Sequence, residues 1–435
     1  MAKSADQKLY EAEQKQLKKE IENRTGKSTI QLYEEREQRV RDVINLKVPD
    51  RIPIAVNPDT QAYTEIPNSA GYYDPVNFKR ARRMIALDFE PDMADSGIPI
   101  SGDALTALDV KNRLWPGGPL PGTYDYQAVE GEWMKADEYD IFLKDPADFV
   151  IRCVWPRLYG TLAPLSKLPP IGDLFQGFEG LTTLLSSPEF IKMAKKIVAA
   201  GKAAERFRKD IGDGVEDLAQ LGFPPIWGLG AIMGAPFDVV SSALRGMQGT
   251  MIDMFRRPDK LLAACDMIMD RRIARALPAD PARRGNPKRA GMPLWRGDKS
   301  FMSEKQFEKF YWPGLKRAMQ ANIDLGYIAF PFFEAEYGNR LERLLELPKG
   351  KFIASIEAVD AVRAKEILKG HACLYVRIPL AAKVWSFNDV EKFTKELIDK
   401  CGKGGGLMLH MRLPVKGTKQ QYQGLMKNLR EYGRY

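Results

Sequence analysis

Short apolar segments and amphipathic helical patterns alternate along the last third of the chain. Four segments predict strands, at residues 328–336, 351–358, 372–379 and 407–413. A helical pattern follows each of them, at about 339–347, 360–369, 388–401 and 417–431. Parallel strands need long crossovers, which are usually helices, so this alternation predicts a parallel α/β sheet or barrel.

The same alternation continues upstream with wider spacing. Further strands are predicted at 52–56, 97–100, 223–232 and 292–297. Ser303 followed by Gln306 has the pattern of a capping box, which predicts the start of a helix there. Eight strands with intervening helices predict a (β/α)8 TIM barrel, and an open doubly wound sheet is the alternative.

Two regions depart from the alternating pattern. Residues 1–46 are rich in helix formers and predict two helices with a break at Gly26. Residues 57–170 crowd Pro, Gly and aromatic residues together and predict a long irregular insertion, which is either a lid or binding loop or a structural wrap. We therefore expect an N-terminal helical extension over 1–46 and a barrel over 47–435.

Composition and charge narrow the class of protein. The 435 residues are 44% hydrophobic, but no apolar stretch is long enough to span a bilayer and the charged N-terminus lacks a secretory signal. Four scattered cysteines fit reduced thiols, and a net charge of +9 with dispersed basic residues carries no nucleic-acid signature. The expectation is a cytoplasmic protein that binds a small-molecule substrate, with no nucleic-acid or membrane partner. Whether it forms a homodimer is left open by the sequence.

Ionisable residues stand at the ends of two predicted strands. Glu334 and Glu336 end one strand, and His410 and Arg412 end another. A spacing of two puts both members of a pair on one face, and the active sites of TIM barrels lie at this end of the strands. Three roles are open. Glu334, Glu336 and His410 could bind zinc or another divalent metal, or the same residues could act as a metal-free acid and base. In the structural alternative, Arg412 forms an ion pair with Glu334 or Glu336.

Aromatic and polar residues near the same strand ends are candidates for binding a substrate or cofactor. They are Trp227, Phe237, Trp295, Arg296, Tyr337 and Glu357. The Met-rich and aromatic segment 223–255 contains the first two of these, and a core role is favoured over a ligand wall for most of that segment.

Segments spread over about 36–435 resemble the uroporphyrinogen decarboxylase superfamily. RVRDVINLKVPDRIPIAV resembles its opening, GAPFDVVSSALRGMQGTMIDMFRRPDKLLAACD its central segment, and KELIDKCGKGGGLMLHMRLPV its last strand. The resemblance implies a (β/α)8 barrel, in agreement with the strand count.

The superfamily has two well-known activities: cofactor-free decarboxylation of uroporphyrinogen, and methyl transfer between methylated corrinoid proteins and thiols such as coenzyme M, with zinc activating the thiol. VNPDTQAYTEIPN stands where the decarboxylases carry an arginine-rich segment. Glu334 and Glu336 stand where the methyltransferases carry a His-x-Cys pair, and His410 or Met411 replaces their last cysteine. The resemblance therefore implies a divergent member near the methylcobamide:coenzyme M methyltransferase-like branch.

The leading hypothesis from sequence is a corrinoid-dependent methyltransferase that acts on a small organic substrate. The corrinoid would be a free cobalamin-type cofactor or one carried by a partner protein, and Glu334, Glu336 and His410 would position or deprotonate the substrate. A cofactor-independent decarboxylase or lyase acting on a bulky, tetrapyrrole-like carboxylated substrate, bound by Arg296 and Arg412, is the alternative enzyme. A non-catalytic binding subunit is the third possibility.

Overall fold

A curled sheet of parallel strands lies at the centre of the computed structural model, which describes residues 5–174, 178–228, 230–280, 288–357 and 359–435. The strands are β1 (Ile54–Asn57), β2 (Arg113–Leu114), β3 (Gln127–Ala128), β4 (Arg289–Leu294), β5 (Ile328–Phe333), β6 (Ile353–Ile356), β7 (Cys373–Arg377) and β8 (Leu407–Arg412). Six of them form the sheet in the order β1-β8-β7-β6-β5-β4, and β2 and β3 form a separate hairpin.

Helices surround the sheet and fill most connections. The α-helices are Ala5–Thr25, Thr29–Ile44, Thr60–Thr64, Ala70–Tyr73, Pro75–Phe89, Gly102–Leu108, Tyr139–Lys144, Pro146–Phe149, Trp155–Leu158, Glu179–Leu185, Pro188–Ile211, Gly214–Gln220, Pro236–Ala243, Gly246–Arg256, Pro258–Ala274, Glu304–Gln306, Trp312–Asp324, Ala361–Leu368, Phe387–Cys401 and Lys419–Tyr432. The 3₁₀ helices are Gly160–Lys167, Ile171–Leu174, Gly338–Glu346 and Leu380–Val384, and π-helical turns cover Val150–Val154 and Phe307–Tyr311.

The two edge strands, β1 and β4, are linked by isolated parallel bridges rather than by further strands. The bridges join Ala55 to Met93, Ala94 to Pro225, and Gly228 to Ala290. The described strands therefore form a curled half-barrel sheet, which is consistent with a TIM-like fold but is not a closed barrel of eight strands.

Two of the predicted strands account for this difference. The prediction at 97–100 is wrong, because Gly97 adopts φ +65° and Pro99 lacks an N–H to donate, so no strand forms there. The predicted strand 223–232 is reduced to single bridges at Pro225 and Gly228. Its consecutive prolines, Pro224 and Pro225, interrupt any regular ladder of hydrogen bonds.

The last third of the chain follows its predicted pattern closely. All four predicted strands form, although β5 ends at Phe333 and leaves Glu334 and Glu336 in the following loop. The helices form as well, the first of them as a 3₁₀ helix at Gly338–Glu346. The predicted capping box at Ser303 and Gln306 is also confirmed.

The second N-terminal helix closes the amino end of the sheet. Val40, Val43 and Ile44 share a buried cluster with residues of the sheet interior such as Met408. On the same helix, Glu37 pairs with the buried Arg289 of β4 at 2.9 Å. The division at residue 46 stays a prediction. In the described parts of the chain, no helix is both long and apolar enough to cross a membrane.

The insertion at 57–170 is more regular than predicted. Its largest element is the helix Pro75–Phe89, which was missed; Asp74 caps it and Pro75 occupies its first turn. Tyr73 accepts a hydrogen bond from Trp115 at 3.0 Å, and Asn68 donates to Asp125 at 3.2 Å. These bonds join distant segments within the insertion to one another.

Candidate functional site

The carboxyl half of the sheet interior carries a layer of buried polar groups. Ser355, Tyr375 and His410 come from three adjacent strands, and their side-chain polar atoms have no hydrogen-bond partner among the described residues. The ring of Tyr375 lies 5.5 Å from that of His410 and 5.2 Å from that of Phe330. A buried polar group without a partner costs about 1–3 kcal/mol, so this layer indicates a site kept for a ligand rather than for stability.

One member of this layer, His410, lines a cavity, which we call the His410 cavity. It has a volume of about 370 Å³. Its polar lining combines His410 and Arg377 from the sheet with Asn57 at the end of β1 and Arg82 and Asp95 from the insertion side. Apolar and aromatic lining comes from Trp227, Ile226, Phe78, Tyr72, Tyr124 and Tyr126.

His410 is a buried, neutral imidazole. It is 4% exposed, and neither ring nitrogen has a partner in the described structure. Burial, together with the positive charges of Arg377 and Arg412, holds the pKa of this ring well below its usual range. At neutral pH one ring nitrogen is therefore free to accept a hydrogen bond or a proton from a ligand.

Two arginines line the His410 cavity, together with the carboxylates of Asp95 and Asp125. Arg377 lies opposite His410 in the β7–β8 register and packs its guanidinium 3.9 Å from the centre of the Phe332 ring. Arg82 pairs with Asp95 at 3.3 Å. The Nε atom of each arginine is buried without a hydrogen-bond partner among the described residues. Unused donors of this kind suit a carboxylate or another small anion.

Trp227 forms the apolar wall beside the layer of polar groups. A Cβ atom at Gly291 would lie 2.8 Å from the Trp227 ring, so the glycine in β4 lets the indole lie flat against the strand. Trp227 therefore keeps part of the cavity dry, as a wall of a ligand pocket does.

A second space, the Tyr337 cavity, opens at the ends of β4 and β5. Its volume is about 570 Å³. The lining includes Trp295, Arg296 and Asp298 after β4, Glu334 and Tyr337 after β5, and Glu130 and Arg113 from the insertion. Arg296 forms an ion pair with Glu130, which fastens the insertion over this cavity. Tyr126 lines both cavities and stands between them.

The ion pair of Arg412 and Glu357 influences one titratable residue in each cavity. Arg412 lowers the pKa of His410, and Glu357 raises the pKa of Glu334. Arg412 pairs with Glu357 through both guanidinium nitrogens, one of them at 2.9 Å. Burial and the neighbouring carboxylate of Glu357 raise the pKa of Glu334, while Arg377 and Arg412 oppose this rise. The structural alternative from sequence named Glu334 or Glu336 as the partner of Arg412; the partner is Glu357 instead.

The structure brings most of the predicted residues to this end of the sheet but divides them. Trp227 and His410 line one cavity, and the other is lined by Trp295, Arg296, Glu334 and Tyr337. Glu336 is exposed and lines neither cavity. Phe237 is fully buried against Tyr311, with ring centres 5.8 Å apart, as the core alternative for this segment predicted.

The predicted metal ligands do not form a donor set. Within residues 5–174, 178–228, 230–280, 288–357 and 359–435, no group of three or more His, Cys, Asp or Glu side chains is placed to hold a metal. His410 is buried in one cavity, Glu334 lines the other and Glu336 is exposed. The side chains present do not fit a zinc site of this composition.

The residues of the site that were missed in the sequence include Tyr375, Arg377, Arg82 and Asp95. Tyr375 and Arg377 lie two apart on a predicted strand, so the alternation that selected His410 and Arg412 also marks them. Arg82 lies on the missed helix Pro75–Phe89, and Asp95 follows it in a segment without regular pattern. No local signal distinguishes these last two from solvent-exposed charges.

Comparison with known proteins shows the fold alone. No protein-family model matches the chain, and no curated protein matches it. A solved structure described as a methyltransferase from Methanosarcina mazei superimposes with a TM-score of 0.52, over 91% of this chain and 98% of that chain. The two sequences are 13% identical. The chain therefore shares the α/β architecture of that methyltransferase.

Proposed function

We propose that the chain is a methyltransferase-type enzyme that moves a methyl group between a corrinoid and a small organic substrate carrying an anionic group. The architecture shared with a methyltransferase and the family resemblance support this reading. In the proposal, the bridges near residues 93–94 and 225–228 complete the (β/α)8 barrel of the superfamily.

One observation carries the proposal: the buried His410, whose two ring nitrogens have no partner in the described structure, faces a cavity at the carboxyl end of the sheet. Catalytic and binding groups collect at this end of parallel α/β sheets. Leaving an imidazole unpaired there costs folding free energy, which a ligand or reacting group recovers on binding.

The cavities also limit how a corrinoid could be held. Both have volumes typical of sites for drug-sized ligands, which are smaller than a macrocycle with its side chains. Around their openings Tyr124, Tyr126 and Trp295 are exposed, and such rings suit the flat face of a macrocycle. A corrinoid resting on these residues, free or carried by a partner protein, would supply an electrophilic methyl group.

The residues of the chain would bind and orient the substrate. Arg377 and Arg82 would hold its anionic group through their free Nε donors. Neutral His410 would accept a hydrogen bond from the substrate and fix its orientation, and Trp227 would exclude water from that side.

The proposal is tested by incubating the protein with methylcobalamin and a panel of small carboxylated thiols, phenols and amines. The corrinoid absorption spectrum reports demethylation, and mass spectrometry reports the methylated product. We expect turnover that falls strongly in Arg377→Ala but not in Arg343→Ala, whose exposed arginine pairs with Glu308 on the surface. No spectral change with any acceptor, with or without a corrinoid protein, would contradict the proposal.

A carboxy-lyase acting on a bulky carboxylated substrate is the second candidate. The unpaired donors of Arg377 and Arg82 favour it as well, because a substrate carboxylate would satisfy them. Release of carbon dioxide from a carboxylated tetrapyrrole, without any corrinoid, would select this activity over methyl transfer.

A further inference from the structure

The side chain of Tyr337 places a buried hydroxyl beside the Tyr337 cavity. Tyr337 is 1% exposed, lines the cavity, and its hydroxyl has no hydrogen-bond partner of full geometry among the described residues. Its ring is held edge-on against Phe333, with centres 4.8 Å apart. An unsatisfied hydroxyl beside a cavity is a group that a ligand can bind once it reaches the cavity wall.

A buried tyrosine and a buried carboxyl group lie behind Tyr337. The hydroxyl of Tyr311 donates a hydrogen bond of 2.7 Å to Asp238, and both residues are fully enclosed. The hydroxyls of Tyr311 and Tyr337 lie close enough for each to shift the pKa of the other. Tyr337, Tyr311 and Asp238 thus form a row of polar groups, the relay row, that leads from the cavity into the core.

The carboxyl end of the row can bind a proton near neutral pH. Burial raises the pKa of Asp238 to about 7, although hydrogen bonds from Tyr311 and from the backbone N–H groups of Trp295 and Arg296 oppose the shift. The other ionisable neighbours are the Arg296 side chain, Tyr337 and the buried thiol of Cys265. The pKa values of both tyrosines are raised well above their usual range, so both hydroxyls keep a proton.

We propose that Asp238, acting through Tyr311 and Tyr337, accepts the proton that a hydroxyl- or thiol-bearing ligand loses in the Tyr337 cavity. The ligand X–H bond breaks and its proton passes to the Tyr337 oxygen. The proton of Tyr337 moves to Tyr311, and that of Tyr311 moves to the Asp238 carboxylate. Both tyrosines end as they began, and Asp238 ends neutral.

This inference rests on the proposed methyl transfer and gives it an acceptor class. In methyl transfer the X–H electron pair would form the new X–C bond, and a corrinoid, when bound, would supply the methyl group and retain the electron pair of the bond that breaks. The acceptor is therefore a molecule with a hydroxyl or thiol group in the Tyr337 cavity and an anionic group in the His410 cavity. Tyr337 touches the ligand, and Tyr311 and Asp238 are positioning residues that act through it.

The test uses phenol as a probe, because it presents one hydroxyl and stays neutral at the pH values used. Phenol donating to Tyr337 turns every hydroxyl of the relay row toward Asp238 and so favours the ionised carboxylate. We expect phenol to bind roughly fivefold more tightly at pH 8 than at pH 6, measured by calorimetry, as for a ligand that lowers one linked pKa from about 7 to about 6. Anisole, which lacks the hydroxyl, should show no such change.

Three variants complete the test without requiring turnover. Tyr337→Phe and Asp238→Asn should each remove the pH dependence of phenol binding. Tyr139→Phe should keep it, because Tyr139 donates to the buried Asp253 at 3.0 Å in an equivalent pair that does not line the cavity. Phenol binding that fails, or that keeps its pH dependence in Tyr337→Phe, overturns the relay even if methyl transfer is found. A positive result in the absence of methyl transfer would keep the relay and reject only the methyltransferase.

Discussion

The two cavities at the carboxyl end of the sheet share a wall but differ in their chemistry. In the His410 cavity, β7 and β8 contribute Arg377 and the neutral imidazole of His410, and both side chains offer unused nitrogen atoms. The Tyr337 cavity takes its groups from the loops after β4 and β5, where hydroxyl and carboxyl oxygens dominate. One space is therefore suited to binding an anion, and the other to accepting a proton.

This division separates two tasks that conflict in a single pocket. The positive charge that binds an anion also lowers the pKa of a nearby base, as Arg377 does for His410. Burial instead raises the pKa of Asp238, although the charge of Arg296 opposes the rise. In the proposed relay, a proton acceptor effective near neutral pH thus lies behind Tyr337 rather than beside Arg377.

The largest expected effect concerns anion binding in the His410 cavity. Arg377→Ala should weaken the binding of benzoate roughly a hundredfold, as expected when one partner of a buried charged hydrogen bond is truncated. Binding of benzamide, which has the same shape without charge, should change little. Calorimetry on wild type, Arg377→Ala and the surface control Arg343→Ala measures both. Equal losses for the two ligands would show that Arg377 shapes the cavity and does not bind the charge.

The next effect concerns stability at the Tyr337 cavity. The pKa of Asp238 is about 7 in the folded protein and near 4 in an unfolded chain, so unfolding releases a proton between these values. The free energy of unfolding therefore falls as pH rises from about 4 to 7. Asp238→Asn removes this loss. Its stability relative to wild type should be higher at pH 8 than at pH 5 by about 2 kcal/mol.

Urea unfolding at the two pH values measures this difference, with Asp140→Asn as the control for an exposed carboxyl group. A variant whose stability tracks wild type at both pH values would show that Asp238 is already ionised at pH 5. That result would rule out Asp238 as the proton acceptor of the relay row.

His410 should change stability in the opposite direction. Its pKa lies well below 6.5 in the fold, so unfolding takes up a proton as the pH falls through the unfolded value near 6.5. Between pH 6.5 and 5.5 the stability of wild type should fall by about 1 kcal/mol relative to that of His410→Gln, because Asp238 contributes equally to both proteins. Since the chain has two histidines, NMR with His371→Gln as the reference variant can assign the His410 ring. Protonation of the His410 ring near pH 6.5 would contradict a neutral base in the His410 cavity.

The sequence predicted the regular part of the fold because one physical rule governs it. Alternation of apolar and polar residues, together with helical crossovers, located all six strands of the parallel sheet. It failed at 97–100, where Gly97 and Pro99 prevent pairing, and at 223–232, where Pro224 and Pro225 reduce pairing to single bridges that leave little pattern in the residues. It also missed the helix Pro75–Phe89, which lies in a segment whose neighbours are rich in Pro and Gly.

The site was predicted in part for a related reason. Period-two spacing placed Glu334, His410 and Arg412 at the correct end of the sheet, but spacing cannot show which cavity a side chain enters or which partner it takes. Arg412 pairs with Glu357 from the next strand but one, a contact set by the curl of the sheet. Asp238 and Tyr311 are 73 residues apart and meet only through tertiary structure.

The smallest expected effect concerns the wall between the cavities. Tyr126 lines both and is 57% exposed, so Tyr126→Ala should change the free energy of unfolding by only about 0.5 kcal/mol. Benzoate and phenol should both bind a few-fold more weakly, because the variant joins the two spaces and admits water to each. Trp295→Ala is the matched control, since Trp295 lines the Tyr337 cavity alone and should weaken phenol without affecting benzoate. If Tyr126→Ala weakened one ligand and left the other unchanged, the two probes would not occupy neighbouring cavities with a common wall, and the separation of anion binding from proton acceptance would fail.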